Sequence, residues 1–390
     1  MKRILAIGHA QDGSGCARIM RGILGGLCHS FDVHQIGLNG FGSQTTGNWT
    51  RHECHDPNDN YGFDEFRVLF SALQPDIVFI LQDLWIVPGY LEIIEGSPVP
   101  VAAYIPLDGQ LARAETICAL RTVDHLVTYL PWAREQMHQA FAQLKYQDGL
   151  PTPQVHSIPH GIDLGHFYPV ACARTKLFPE RRDLEDAFIV LNANQNRPRK
   201  QLDVTIEAFA RFAHNKPDNV RLYLHAAPEG CVALRAEAER FGVGERLILT
   251  GESGHQHPVV TDERLNWIYN ACDVGVNTSA GEGWGLVSFE HGSTGVAQIV
   301  PRHSACADLW EGAAELVDAE LEYPCWQSPL RFSHISVAGV AAAMERIYAD
   351  VNLRRKLGDA ARIRATSPAY SWPVVSAQWL HLFEQVCSGG

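Results

Sequence analysis

Ser279-Ala-Gly-Glu-Gly-Trp-Gly-Leu-Val-Ser-Phe-Glu-His-Gly-Ser-Thr-Gly-Val-Ala-Gln-Ile-Val-Pro301 decides how this chain is read. It follows Asp273-Val-Gly-Val-Asn-Thr, which has the character of a strand, and Gly281, Gly283 and Gly285 open a segment of helical spacing. A glycine-rich turn that feeds a helix N-terminus lets backbone N–H groups approach an anion, and the helix dipole favours phosphate there. The N–H groups of Gly283, Trp284, Gly285, Leu286 and Val287 are the expected donors. Two carboxylates bracket the turn, Glu282 in the loop and Glu290 in the helix. Acids gain nothing beside a phosphate, so hydroxyl groups flanking it are better partners for them. Hydroxyls on both sides of a phosphate describe a nucleotide sugar. Taken singly, Glu282 reads as a solvated loop acid and Glu290 as an acid placed by the helix dipole; the pair with three glycines reads as a binding site.

Glu282-Gly-Trp-Gly-Leu-Val-Ser-Phe-Glu290 resembles the Glu-x7-Glu signature of retaining glycosyltransferases of the GT-B fold, in particular glycosyltransferase family 4, the glycosyl transferases group 1. The resemblance implies an α/β chain of two Rossmann-like domains whose parallel sheets face each other across a cleft. It also implies a UDP- or GDP-sugar donor, with Glu290 on the ribose hydroxyls and Glu282 on those of the transferred sugar. No cofactor and no metal are expected.

The chain has 390 residues, enough for two domains with sizeable cores. A mean hydropathy of -0.11 fits a soluble protein, and no apolar run is long enough to cross a bilayer. Met1-Lys-Arg-Ile-Leu-Ala-Ile-Gly has two basic residues and then apolar ones, but Gln11-Asp12-Gly13 cuts it too short for a signal peptide. The ten cysteines form no Cys-x-x-Cys pair, and several lie in apolar runs, as in a reduced, cytoplasmic protein. A net charge of -12 argues against a broad nucleic-acid or anionic-membrane surface. Peripheral membrane contact and oligomeric state are left open.

The first half alternates strand and helix. Arg3–Gly8 reads as a strand, Asp12–Gly15 as a tight loop and Cys16–Leu27 as a helix with Ile19, Ile23, Leu24 and Leu27 on one face. Gly13 and Gly15 are too few for a dinucleotide fingerprint, since Arg18 stands where a third glycine belongs. The resemblance implies that they help close the donor phosphate site. Val33–Leu38 reads as a second strand and Asn39–Tyr61 as a long functional loop, in which His52-Glu-Cys-His55 follows no metal-ligand spacing. Asp76–Leu81 and Val99–Pro106 are apolar runs of the kind buried on both faces of a parallel sheet. Ligands gather at the carboxyl ends of such strands, so Asp83 and Asp108 are acceptor-site candidates, an acid capping the next helix being the other reading of each. Pro106 and Gly109 give Asp108 a rigid turn and favour function there. A strand over Asp124–Tyr129 and a helix over Pro131–Leu144 come next. Ile158-Pro-His-Gly-Ile-Asp163, with Phe167-Tyr-Pro169, resembles the family segment that closes the N-terminal domain, with His160 in place of Asn. The expected domains are 1–170 and 184–370, joined by a linker over Pro169–Asp183, with a terminal helix at 371–387 packing back on the first.

Phe188–Ala193 restarts the alternation and leads into Asn194-Gln-Asn-Arg-Pro-Arg-Lys200. A basic cluster between a strand and the helical run Leu202–Phe212 suits a diphosphate. The family's Arg-x4-Lys motif falls here, with Lys200 as its lysine; Gln195 replaces its arginine, leaving Arg197 or Arg199 to supply the second cation. Strands are expected at Arg221–Ala226, Leu247–Gly251 and Gln298–Pro301, a short helix at Leu265–Ala271, and helical spacing from Val337 through Leu357. The fold resembled puts Gly251 beside the nucleotide base. Its mechanism has the acceptor attack on the face the diphosphate leaves, with Lys200 and a neighbouring arginine stabilising that group and the departing phosphate taking the proton. A nucleotide-sugar epimerase and a non-catalytic nucleotide-sugar binder are the rival readings, the latter kept alive by Gln195.

Overall fold

Buried strands alternating with one-sided helices occur twice along the chain, and each series folds into its own parallel sheet. The computed structural model describes residues 1–11, 14–39, 47–54, 58–251, 253–325 and 328–388. Gly13 and His55, both singled out in the sequence, lie outside the described residues. Contacts divide the chain into one unit of Met1–Gly161, Pro324–Arg331 and Pro368–Gly390, and a second of Ile162–Tyr323 and Phe332–Ser367.

In the first unit the sheet runs Thr50–Glu53, Asp32–Leu38, Arg3–His9, Ile77–Leu81, Val101–Ile105, His125–Thr128, Gln154–Ser157, every neighbour parallel. Ile77–Leu81 and Val101–Ile105 are buried along their whole length because helices cover both faces. Gly15–Leu27 is a helix whose N-cap Ser14 accepts from the N–H of Ala17, and Gly15 is its first residue. Helix Trp372–Ser388 supplies Trp379 and Phe383 to this core, against Phe79 at 5.0 and 5.6 Å between ring centroids. Thr50–Glu53, inside the stretch expected to be loop, is an edge strand. Its four polar residues show no apolar alternation, and His52 bonds His34 of the next strand at 3.0 Å.

The second unit orders its strands Leu247–Leu249, Val220–Leu224, Phe188–Asn192, Val274–Val276, Ala297–Pro301, Glu315–Val317, again all parallel. The strand order reverses direction between Phe188–Asn192 and Val274–Val276. A ligand crevice forms at such a switch point, outside the carboxyl ends of the strands.

The expected domain bounds and the linker over Pro169–Asp183 stand beside a division of the chain by contacts. The division falls after Gly161, and the residues beyond it are bonded into the second unit. Phe167 is buried in its core beside Leu184 and Tyr269, and the N–H groups of Tyr168 and Val170 donate to Asn266 and Asn270. Arg174 then reaches the carbonyls of Ala187 and Ala271 and the Asp273 carboxylate.

Candidate functional site

Two loops leave the strands that flank the second unit's switch point, residues 193–201 and residues 277–285, and they are stitched together. Asn192 orders the first from below. Its amide accepts from the N–H of Asn194 at 3.1 Å and donates to Thr205 at 2.8 Å. Thr278 Oγ1 lies within bonding distance of the carbonyls of Lys200 and Gln201, at 3.0 and 2.9 Å, and Ala280 N–H donates to the carbonyl of Arg199 at 2.7 Å. Gln201 holds a left-handed backbone, φ 46°, so the chain turns sharply into helix Leu202–Ala213 directly after Lys200.

These constraints bring Arg199, Lys200 and Glu282 together. Lys200 Nζ lies 2.5 Å from Glu282 Oε1, and Arg199 Nη1 donates to Oε2 at 3.2 Å and also to the carbonyl of Gly281. Oε1 also accepts from Ser279 Oγ at 2.7 Å and Asn277 Nδ2 at 3.3 Å. Glu282 is buried; burial alone would push its carboxyl up, but the adjacent Lys200 and Arg199 charges outweigh this and hold it down to about 2. It is an anion at every physiological pH. Its backbone is fixed as well, the N–H donating to Ser304 Oγ at 3.1 Å and the carbonyl accepting from Ala305.

The glycine turn then enters helix Leu286–Ser293 through Gly285, which sits at φ 89°; Gly281 and Gly283 do not share that conformation. Leu286 and Val287 form the first turn, and Trp284 is buried edge-on against Phe289. Glu290, on the same helix, is 6% exposed and accepts from Tyr269 OH at 3.0 Å. At the next strand end Thr250, before Gly251, meets Tyr223 OH at 2.9 Å and His225 Nδ1 at 2.8 Å. Burial, with smaller effects of His257 and Arg264, keeps His225 neutral, its pKa down at about 3.

Of the two arginines left open by Gln195, Arg199 is the one in contact with Lys200's partner. Arg197 and Gln195 are exposed on the loop, and the charge of Arg197 acts on Cys231 instead. Asp108 and Gly15 belong to the first unit, Asp108 following strand Val101–Ile105 and Gly15 opening a helix. Sequence reading passed over Asn277, Ser279 and Ser304. The polar run Asn277-Thr278-Ser279 directly before the glycines was a usable signal for the first two; Ser304 is 22 residues from Glu282 and only the fold joins them. Among the described residues no group of three or more His, Cys, Asp or Glu is placed to hold a metal ion.

Residues 187–350 match the protein family described as Glycosyl transferases group 1. Mannosylfructose-phosphate synthase of Agrobacterium fabrum is 27% identical over 163 residues, 40% of this chain and 34% of that protein. D-inositol 3-phosphate glycosyltransferase of Xylanimonas cellulosilytica is 29% identical over 250 residues, 61% of this chain and 52% of that protein. The matched regions thus span about a third and about half the length of these relatives. Among solved structures, sucrose-phosphate synthase from Thermosynechococcus elongatus superposes with a TM-score of 0.74 at 17% identity, covering 100% of both chains. The UDP-forming trehalose-phosphate synthase from Burkholderia xenovorans gives 0.71 at 15% identity over 99% of each. The fold is GT-B.

Proposed function

We propose, from the premise that residues 187–350 are a glycosyl transferases group 1 domain, that the chain transfers a sugar from a nucleoside-diphosphate donor to an acceptor hydroxyl with retention of configuration. One observation carries the reading: Lys200 and Arg199 converge beside a glycine turn and a helix N-terminus at the sheet's switch point. Two fixed cations and the backbone N–H groups of residues 283–287 are complementary to a leaving diphosphate, whose charge grows in the transition state. Glu290, whose carboxylate is oriented by Tyr269, is the acceptor for the ribose hydroxyls. The acceptor hydroxyl attacks from the face the diphosphate leaves, and the departing phosphate takes its proton, so no protein base is needed. In this reading the backbone N–H groups of the turn supplement the two cations, and no divalent ion takes part. The donor is a UDP- or GDP-sugar, and the absence of a disulfide among the described cysteines suits work in the cytoplasm.

The test is thermal stability against UDP-, GDP-, ADP- and dTDP-sugars. A ligand that binds only the folded protein raises its melting temperature, by an amount equivalent to about 2.7 kcal/mol at a hundred times Kd. The UDP- or the GDP-sugars shift the transition and the ADP- and dTDP-sugars do not, and turnover with that donor survives a chelator. Protein indifferent to all four classes, or turnover that stops in the chelator, overturns the donor reading or its metal independence respectively.

A further inference from the structure

The resemblance to family 4 assigns Glu282 to the hydroxyls of the transferred sugar, yet its Oε1 is filled and its Oε2 is shared with Arg199. An ionised carboxylate offers about four lone-pair directions. Three donors, Lys200 Nζ, Ser279 Oγ and Asn277 Nδ2, fill Oε1, which has about two such directions, and Arg199 Nη1 takes one of those on Oε2. The side chain is 5% exposed. It cannot swing toward a sugar without deserting two cations, since its own N–H and carbonyl are tied to Ser304 and Ala305.

The same contacts matter for the cations. The Lys200 side chain is only 13% exposed, and a lysine that buried loses charge and a fixed rotamer unless an anion stands beside it. Glu282 supplies that anion and also spaces Lys200 from Arg199, each on its own oxygen. Asn277 in turn fixes the brace, its Oδ1 accepting from Ser279 N–H at 2.9 Å while its amide nitrogen meets Glu282.

We infer that Glu282 is a positioning residue: it holds Lys200 and Arg199 in the arrangement that receives the donor's diphosphate, and acts on the donor through them rather than through the sugar. The inference rests on the donor-site reading above. It makes a demand that the sugar-binding role does not make. Loss of the carboxylate must weaken a nucleoside diphosphate that carries no sugar as much as it weakens the nucleotide sugar.

The experiment titrates wild type and Glu282→Gln with four probe pairs, UDP and UDP-glucose, GDP and GDP-mannose, ADP and ADP-glucose, dTDP and dTDP-glucose. Glutamine keeps the size but points an N–H at one of the two cations. For the pair that wild type binds, both members lose affinity by about tenfold, the scale typical of a removed supporting residue, and their ratio is unchanged. The double variant Glu282→Gln/Lys200→Met loses less than the product of the single losses, because the two residues act along one route. Unliganded melting curves show that the variants are folded; if Glu282→Gln is not, Ser279→Ala, which removes one brace from Oε1, carries the same comparison. A loss confined to the sugar-bearing member, equal wild-type affinity for both members in the variant, or fully multiplicative losses overturn the positioning role alone. Wild type that binds none of the four pairs overturns the donor site itself.

Discussion

Gly285 is the residue at which the turn becomes a helix, and its φ of 89° is one that side-chain-bearing residues rarely adopt. A Cβ there would meet only ordinary contacts, at 3.8 Å from Asn277 and Cys306, so the cost of adding one is conformational rather than steric. Gly285→Ala therefore lowers stability by about 1–2 kcal/mol, read from denaturant unfolding; an unchanged midpoint would mean that the left-handed backbone is not required. Sequence reading treated the three glycines alike, because composition does not carry the sign of φ. Two non-glycine residues share the left-handed region in the same site, Gln201 at φ 46° and Ser304 at φ 48°. One ends the basic loop and the other accepts the N–H of Glu282, so local strain is placed where the cations and their counter-ion are fixed.

At the scale of elements, the helical spacing from Val337 through Leu357 is two helices, Val337–Ala349 and Val351–Ala365. Asp350 separates them: its carboxylate accepts from the N–H groups of Asn352 and Leu353, both at 2.9 Å. Asp350→Ala removes that cap and costs about 1 kcal/mol, with a fall in melting temperature as the measurement; a variant as stable as wild type would show that the cap contributes nothing. Periodicity could not reveal the break, since the apolar spacing resumes on the far side and one acid among many gives no sign of capping. The apolar strands were legible for the opposite reason: Ile77–Leu81, Val101–Ile105 and Phe188–Asn192 are covered on both faces, and their sequences are unbroken apolar runs. Edge strands such as Thr50–Glu53 and Glu315–Val317 escape that rule, the first being entirely polar and the second only three residues long. Within the site, spacing picked out Glu282 and Lys200, which lie in contact, whereas Asn277, Ser279 and Ser304 act through hydrogen bonds that no sequence period encodes.

Over the whole molecule, buried histidines govern the response to acid. His160 in the first unit and His225 and His291 in the second are neutral, each with a pKa held at about 3, chiefly by burial. Below the ordinary histidine value near 6.5 the unfolded chain takes up protons that the folded chain refuses. Stability present above that pH is thus lost as pH falls toward 3, by about 1.4 kcal/mol per pH unit for each residue. The depressed carboxyl of Glu282 adds a loss only lower down, from the ordinary carboxylate range toward 2. Melting temperature accordingly drops steeply between pH 7 and pH 5, and His160→Asn lessens the drop; a melting temperature level across that range would contradict the burial of these rings. A different consequence follows from helix Trp372–Ser388, whose Trp379 and Phe383 complete the first unit's core around Phe79. On the ribosome, residues 162–367 emerge before that helix does, so the second unit has all of its chain while the first still shows an uncovered aromatic face. The half of the protein that is made first is finished last, and for that interval it is the half with which a chaperone would have to deal.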